Sequence, residues 1–226
     1  MIQFLGAHAG SVFLGFFGGL ISSTATTSEV ARLSKVSQKT DPRGETLIFL
    51  SSTFAMLCEG IAILFLGSKD THLSLLLIFF GPVLVTGAMI FYFFRGLTID
   101  HLQMKDSQFS IFQILKLSAF IILILALSKI LQSFFGQTGF FVLTFIASLF
   151  EMHGSVIANI QLHDAGNFGV KVLGNLVAVS LSASYLSKLF LISTMGSSTL
   201  KKQVTQCIAF LLFSLMISWL AFFLFA

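Results

Sequence analysis

Near-continuous apolar runs of about twenty residues recur along this chain, and that length constrains its fold more than any motif does. A helix of about twenty residues crosses the roughly 30 Å hydrocarbon core of a bilayer. The strands of a spanning barrel would instead alternate over about ten residues. Seven such segments can be marked, at roughly 9–33, 44–67, 73–95, 111–131, 138–162, 169–195 and 202–225. Only 10% of the 226 residues are charged, against roughly 25% in a soluble domain, so a solvated shell is out of reach. The sequence predicts an all-α polytopic membrane protein of about seven transmembrane helices, with the lipid bilayer as its first partner. The net charge of +4 fits cationic anchors at one membrane face, and no nucleic-acid partner is expected.

Polar connectors separate the segments: KVSQKTDPRGE, GSKDTH, RGLTIDHLQMKDSQ, QSFFGQ, HDAGN and GSSTLKK. None can hold a soluble domain, so residues 1–226 read as a single transmembrane domain. Cys58 and Cys207 lie in apolar runs and offer neither a disulfide framework nor metal-ligand spacing. The first basic residue is Arg32, so no basic region stands before the first apolar run as a cleavable signal requires.

Sliding the chain along itself by 129 positions gives an ungapped internal register. Gly10 meets Gly139, Leu14 meets Leu143, Phe16 meets Phe145, Leu33 meets Leu162, and Gly67-Ser68 meets Gly196-Ser197. The layout expected is two three-helix repeats, about 9–95 and 138–226, joined by a linking helix at about 111–131. With every segment spanning, the repeats point the same way; with the linking helix lying in the interface, they are inverted. Lys116 and Lys129 near the ends of that helix favour spanning. Arg32, Lys35, Lys39, Arg43, Arg95, Lys105 and Lys171 then share a side opposite Lys69, Lys129, Lys201 and Lys202. The positive-inside rule predicts a multi-pass protein of the bacterial inner membrane, N-terminus outside and C-terminus cytoplasmic.

The same register lays ISSTATT (21–27) on FEMHGSV (150–156), so Ser22 meets Glu151 and Thr24 meets His153. Both are polar belts a little past the middle of an apolar segment, hence near the bilayer midplane. Ser22, Ser23, Thr24, Thr26 and Thr27 read as one wall of a polar site, and Glu151, His153 and Ser155 as the other. Glycines beside both belts allow broken helices, whose freed backbone groups can hold an ion or polar solute. Small and hydroxyl residues are also ordinary helix-packing surfaces; Glu151 tips the balance, because an ionisable group in a membrane interior is costly and commonly functional. Glu59 and Lys188 are equivalent under the same shift and read as a charge pair or gate, or as two groups near the outer surface. Glu29 and Arg32, three apart, can pair on one helix face.

No phosphate-cradling glycine loop or HExxH is present, so the chain is not expected to be an enzyme. Glu151 and His153, two apart, share no helix face unless the helix breaks between them. No cofactor is expected beyond a bound cation of unknown identity, with Glu151 and His153 the candidate ligands.

GGLISSTATTSEVARLSK (18–35) resembles the GGLVSSTATT-x3-AR signature of an uncharacterised bacterial membrane domain usually found C-terminal to an MgtC/SapB-like region. ASLFEMHGSVIANIQL is similar to its second signature, in which two acids two apart precede a hydroxyl-rich turn, and SASYLSK (182–188) resembles a following Ser-Asn-Thr-x-x-Lys element. By this resemblance Ser22, Ser23, Thr24, Thr26, Glu151 and Lys188 keep the family pattern. His153 replaces the second acid, and Ser184 stands where Asn is usual. Two acids would suit Mg²⁺; an acid and a histidine suit proton coupling or a softer metal. The missing MgtC-like half implies a stand-alone domain, a truncated chain or a separate MgtC-like partner, with a homodimer also open. The function expected is transport of a small ion or polar solute at a midplane site formed by two broken helices. The alternative is a non-transporting membrane module that regulates a protein partner or lipid.

Overall fold

The computed structural model describes residues 6–36, 42–67, 73–95, 126 and 137–225. All but one residue of the expected linking helix lie outside these. The described residues form seven helices and no strand: α1 (Gly6–Val36), α2 (Pro42–Gly67), α3 (Leu76–Phe94), α4 (Gln137–Phe150), α5 (Met152–Asp164), α6 (Val170–Met195) and α7 (Ser198–Phe225). A short 3-10 turn, Leu73–Leu75, leads into α3. The chain is thus an all-α membrane protein, in which α2, α3, α6 and α7 are long and apolar enough to span a bilayer. Phenylalanines such as Phe80, Phe91, Phe190 and Phe213 point outward, where hydrocarbon would receive them.

The chain divides into two compact units. One holds the described residues of Met1–Cys58, Pro82–Gln108 and Lys188–Phe213; the other holds those of Glu59–Gly81, Phe109–Ser187 and Ser214–Ala226.

In the first unit, α1 runs alongside α2 through two glycines one turn apart. A Cβ on Gly15 would stand 2.5 Å from the Ile48 carbonyl oxygen, and one on Gly19 would stand 2.6 Å from Ser52 Cα. Such close backbone approach is how membrane helices gain packing where hydrocarbon offers no hydrophobic drive. At Ser22 the helix breaks, with φ −167° and ψ 105°. The Ser22 hydroxyl accepts the Ala25 N–H at 3.2 Å, capping the half-helix that follows. A Cβ on Gly18 would lie 2.9 Å from Thr26 Oγ1, whereas eight residues of straight helix span about 12 Å. The chain therefore doubles back at Ser22. Its far end meets the α6–α7 connection: the Ser197 N–H donates to Ser34 Oγ at 2.9 Å, and Lys35 Nζ to the Thr194 carbonyl at 3.4 Å. Near the start of α2, Thr46 Oγ1 reaches Gln203 Oε1 at 2.8 Å.

In the second unit, the 138–162 segment, expected to be interrupted within a single crossing, is two helices that meet at residue 151. Residue 151 is extended, φ −149° and ψ 102°. Thr144 Oγ1 donates to Asn159 Oδ1 at 3.1 Å, although these residues would lie about 22 Å apart along a straight helix. α4 and α5 therefore form a hairpin turned at Glu151. At 14 and 13 residues, each arm is only about 20 Å long, short of a full crossing. A Schellman closure ends α5: Asn167 N–H to Leu162 O at 3.1 Å and Gly166 N–H to His163 O at 2.8 Å. Gly166 takes the left-handed φ of 80° that this closure needs. A Cβ on Gly67, the last residue of α2, would stand 3.5 Å from Ile160 Cδ1. At the start of α6, Lys171 lies over Phe223 of α7, 5.7 Å from the ring centre. Within the same unit, the Trp219 indole donates to Asn175 Oδ1 at 2.8 Å.

Candidate functional site

The turn of the α4–α5 hairpin assembles the most concentrated chemistry among the described residues, and it does so because Glu151 is not helical. As the N-cap of α5 its carboxylate reaches forward, and Oε1 accepts the His153 N–H at 3.2 Å. The same oxygen lies 3.5 Å from His153 Nδ1. On the other edge of the ring, Nε2 lies 3.2 Å from Glu59 Oε2. α2 delivers Glu59 there because it packs on α5: a Cβ on Gly60 would sit 3.7 Å from the Met152 methyl. The three side chains are half-buried, 26% exposed at Glu59, 18% at His153 and 36% at Glu151.

The result is a chain, carboxylate to imidazole to carboxylate. The two ring nitrogens diverge, so the three groups do not converge on a common point. Among the described residues no group of three or more His, Cys, Asp or Glu side chains is placed to hold a metal ion.

Ser155, one turn into α5, is fully buried, and its hydroxyl has no partner among the described residues. Asn159 Nδ2 and Ser148 Oγ, in the same unit, are likewise buried and unpaired. Thr144 and Ser148 lie one turn apart on α4, as Ser155 and Asn159 do on α5, so the hairpin carries a polar seam. Unpaired polar atoms in an interior cost about 1–3 kcal/mol each, a cost that packing alone does not require.

The remaining candidates belong to the first unit. Ser22 is the extended residue of the α1 turn. Ser23, Thr26 and Thr27 are buried and Thr24 is half-buried. Thr27 Oγ1 donates to the Ser23 carbonyl at 2.7 Å, so that hydroxyl serves the helix. Glu29 and Arg32 pair at 2.6 Å. Lys188 is fully buried and donates to Met56 Sδ at 3.1 Å. Glu59 and Lys188, matched in the sequence register, thus belong to different units, and Glu59 has His153 as its near neighbour. The sequence gives little warning of that contact: a glutamate followed by glycine inside an apolar run is a weak sign of close helix approach.

The class these features define is a polytopic helical membrane protein with two broken, folded-back helices and an ionisable cluster at the turn of one. Within it, the chain belongs to the family described as "Domain of unknown function (DUF4010)", whose model matches residues 1–196. No curated protein and no solved structure matches it.

Proposed function

We propose that this protein is a carrier-like membrane protein for a small ion or polar solute, with its site at the turn of the α4–α5 hairpin. One observation carries the reading: Glu151 holds an extended backbone between two half-helices while its carboxylate faces His153, and His153 faces Glu59. Irregular backbone at membrane depth is tolerated where it is buried in protein or lines a hydrated cavity, and ionisable side chains there are expensive. Broken helices with exposed half-helix ends are a recurrent way of building carrier sites. The buried, unpaired Ser155 hydroxyl supplies a further polar group next to the turn.

We also infer the orientation. If both hairpins return to the face they enter from, then among the described residues Arg32, Lys35, Arg43, Arg95, Lys201 and Lys202 share one face, and Lys171 stands at the other. The positive-inside rule then makes the first face cytoplasmic, with Gly6 at that face and Phe225 at the opposite one, the reverse of the orientation expected from counting seven simple crossings. A bacterial inner membrane and an MgtC/SapB-like partner are supported by the resemblance of the 18–35 stretch.

A thermal-shift panel on detergent-purified protein tests the carrier reading, with Na⁺, K⁺, Mg²⁺, Zn²⁺, chloride, sulfate and phosphate at two pH values. A bound ion at about 100 times its dissociation constant adds roughly 2.7 kcal/mol of stability. The expected result is a shift in the wild type that Glu151→Gln abolishes. No ion-dependent shift, with Glu151→Gln as stable as wild type, would favour a regulatory module with packed polar belts.

A further inference from the structure

The cluster at the hairpin turn has a stoichiometry problem that its geometry states plainly. A neutral imidazole has one N–H and one bare lone pair. Here both ring nitrogens stand against carboxylate oxygens, Nε2 at 3.2 Å from Glu59 and Nδ1 at 3.5 Å from Glu151. With both carboxylates ionised, either neutral tautomer leaves one bare nitrogen against a carboxylate oxygen, and the two repel. A proton on each nitrogen turns both contacts into charge-assisted attractions. Two carboxylates and one imidazolium then leave a net charge of −1 in place of −2, a smaller burden in a half-buried site.

We propose that Glu59, His153 and Glu151 form a proton site: with a proton on each nitrogen of His153 the imidazolium ties the α4–α5 turn to α2, and departure of one proton releases it. This deepens the carrier reading, on which it rests for the role of the proton as coupling ion. Divergent nitrogens select a proton over a metal, because a metal ion needs its donors to converge, whereas a proton needs only a pair of atoms. Among the described residues, the ionisable groups shown against His153 are Glu59 from α2 and Glu151 from the hairpin turn.

The structure also holds a route from proton to backbone. Glu151 Oε1 meets both the His153 ring nitrogen and the His153 amide that it caps. A deprotonated Nδ1 pushes on the same oxygen that holds the first turn of α5, so the charge on the ring biases the cap, and the cap sets where the two arms fold. Histidine is suited to this, since its ordinary pKa of about 6.5 is the one side-chain value that falls in the physiological range.

The test is nitrogen NMR of ¹⁵N-histidine-labelled full chain in lipid nanodiscs at pH 7, with His153→Gln to assign the resonance. In the wild type, both nitrogens of His153 are expected to be protonated. In Glu59→Gln and in Glu151→Gln, one of the two protons is expected to be lost. A wild-type His153 with one bare nitrogen overturns the proposal, and so does an imidazolium that persists in both variants. Should a Gln variant fail to fold, the wild-type spectrum still decides. The spectrum needs no transport: a doubly protonated His153 in a protein without ion-dependent stabilisation would keep the proton site and remove the carrier.

Discussion

Glu151 and Ser22 are single residues that each change the course of a helix. Both are extended, and both use a side-chain oxygen to accept a backbone N–H of the half-helix that follows, from His153 and Ala25 respectively. Capping of this kind is worth about 1 kcal/mol, enough to favour the break at a chosen residue but not to hold the arms together. That task falls on close contacts, and the glycines of α1 allow the idea to be tested. At Gly19 an added methyl would meet the Ser52 Cα and carbonyl oxygen, both at 2.6 Å; at Gly18 it would meet Thr26 Oγ1 at 2.9 Å. Backbone cannot step aside, and a threonine side chain can. Gly19→Ala is therefore expected to cost about 1–3 kcal/mol by overpacking. Gly18→Ala is expected to cost less, because its methyl crowds one side chain rather than backbone, the gain in helix propensity of about 1 kcal/mol applying at both positions. Thermal unfolding in detergent checks both, and equal losses would contradict the α1–α2 packing.

The elements that most alter the account are the two that fold back. For α4 and α5 the fold-back predicts that Thr144→Cys and Asn159→Cys, introduced together after removal of Cys58 and Cys207, form an intramolecular bond through a short bifunctional thiol cross-linker. Absence of the bond in folded protein would mean that the arms are not opposed. The all-helical class and the two polar belts were legible in the sequence because both follow from composition along an apolar run. A break at each belt was legible too, but the reversal of direction at it was not, for a physical reason. A hairpin of two arms and a single full crossing need about the same number of apolar residues, and the reversal at Glu151 uses one residue with no glycine or proline at the turn itself. The pairing of Glu151 with His153 was legible only on condition that the helix breaks. Glu59 was visible as an unusual charge, but its partner depends on which helix α5 lies against, and local sequence does not hold that. The internal register matched Glu59 with Lys188, which belong to different units.

For the molecule as a whole, the proposed orientation turns on which connections share a face of the membrane. Seven simple crossings would put the connection after α5 with the one between α1 and α2, and the α6–α7 connection opposite. The contacts of Ser34 with Ser197, Lys35 with Thr194 and Thr46 with Gln203 join the α6–α7 connection to the α1–α2 ends instead. Within the second unit, Gly67 lies against Ile160 and Lys171 lies over Phe223. The most direct measurement is sided labelling with a membrane-impermeant maleimide, on single cysteines at Arg43→Cys, Ala165→Cys and Lys202→Cys in a background without Cys58 and Cys207. Intact cells and inside-out vesicles would be compared. The hairpin account predicts that positions 43 and 202 label from one face, the cytoplasmic one, and position 165 from the other. Labelling of 43 and 165 from the same face, with 202 opposite, would contradict it and restore seven simple crossings.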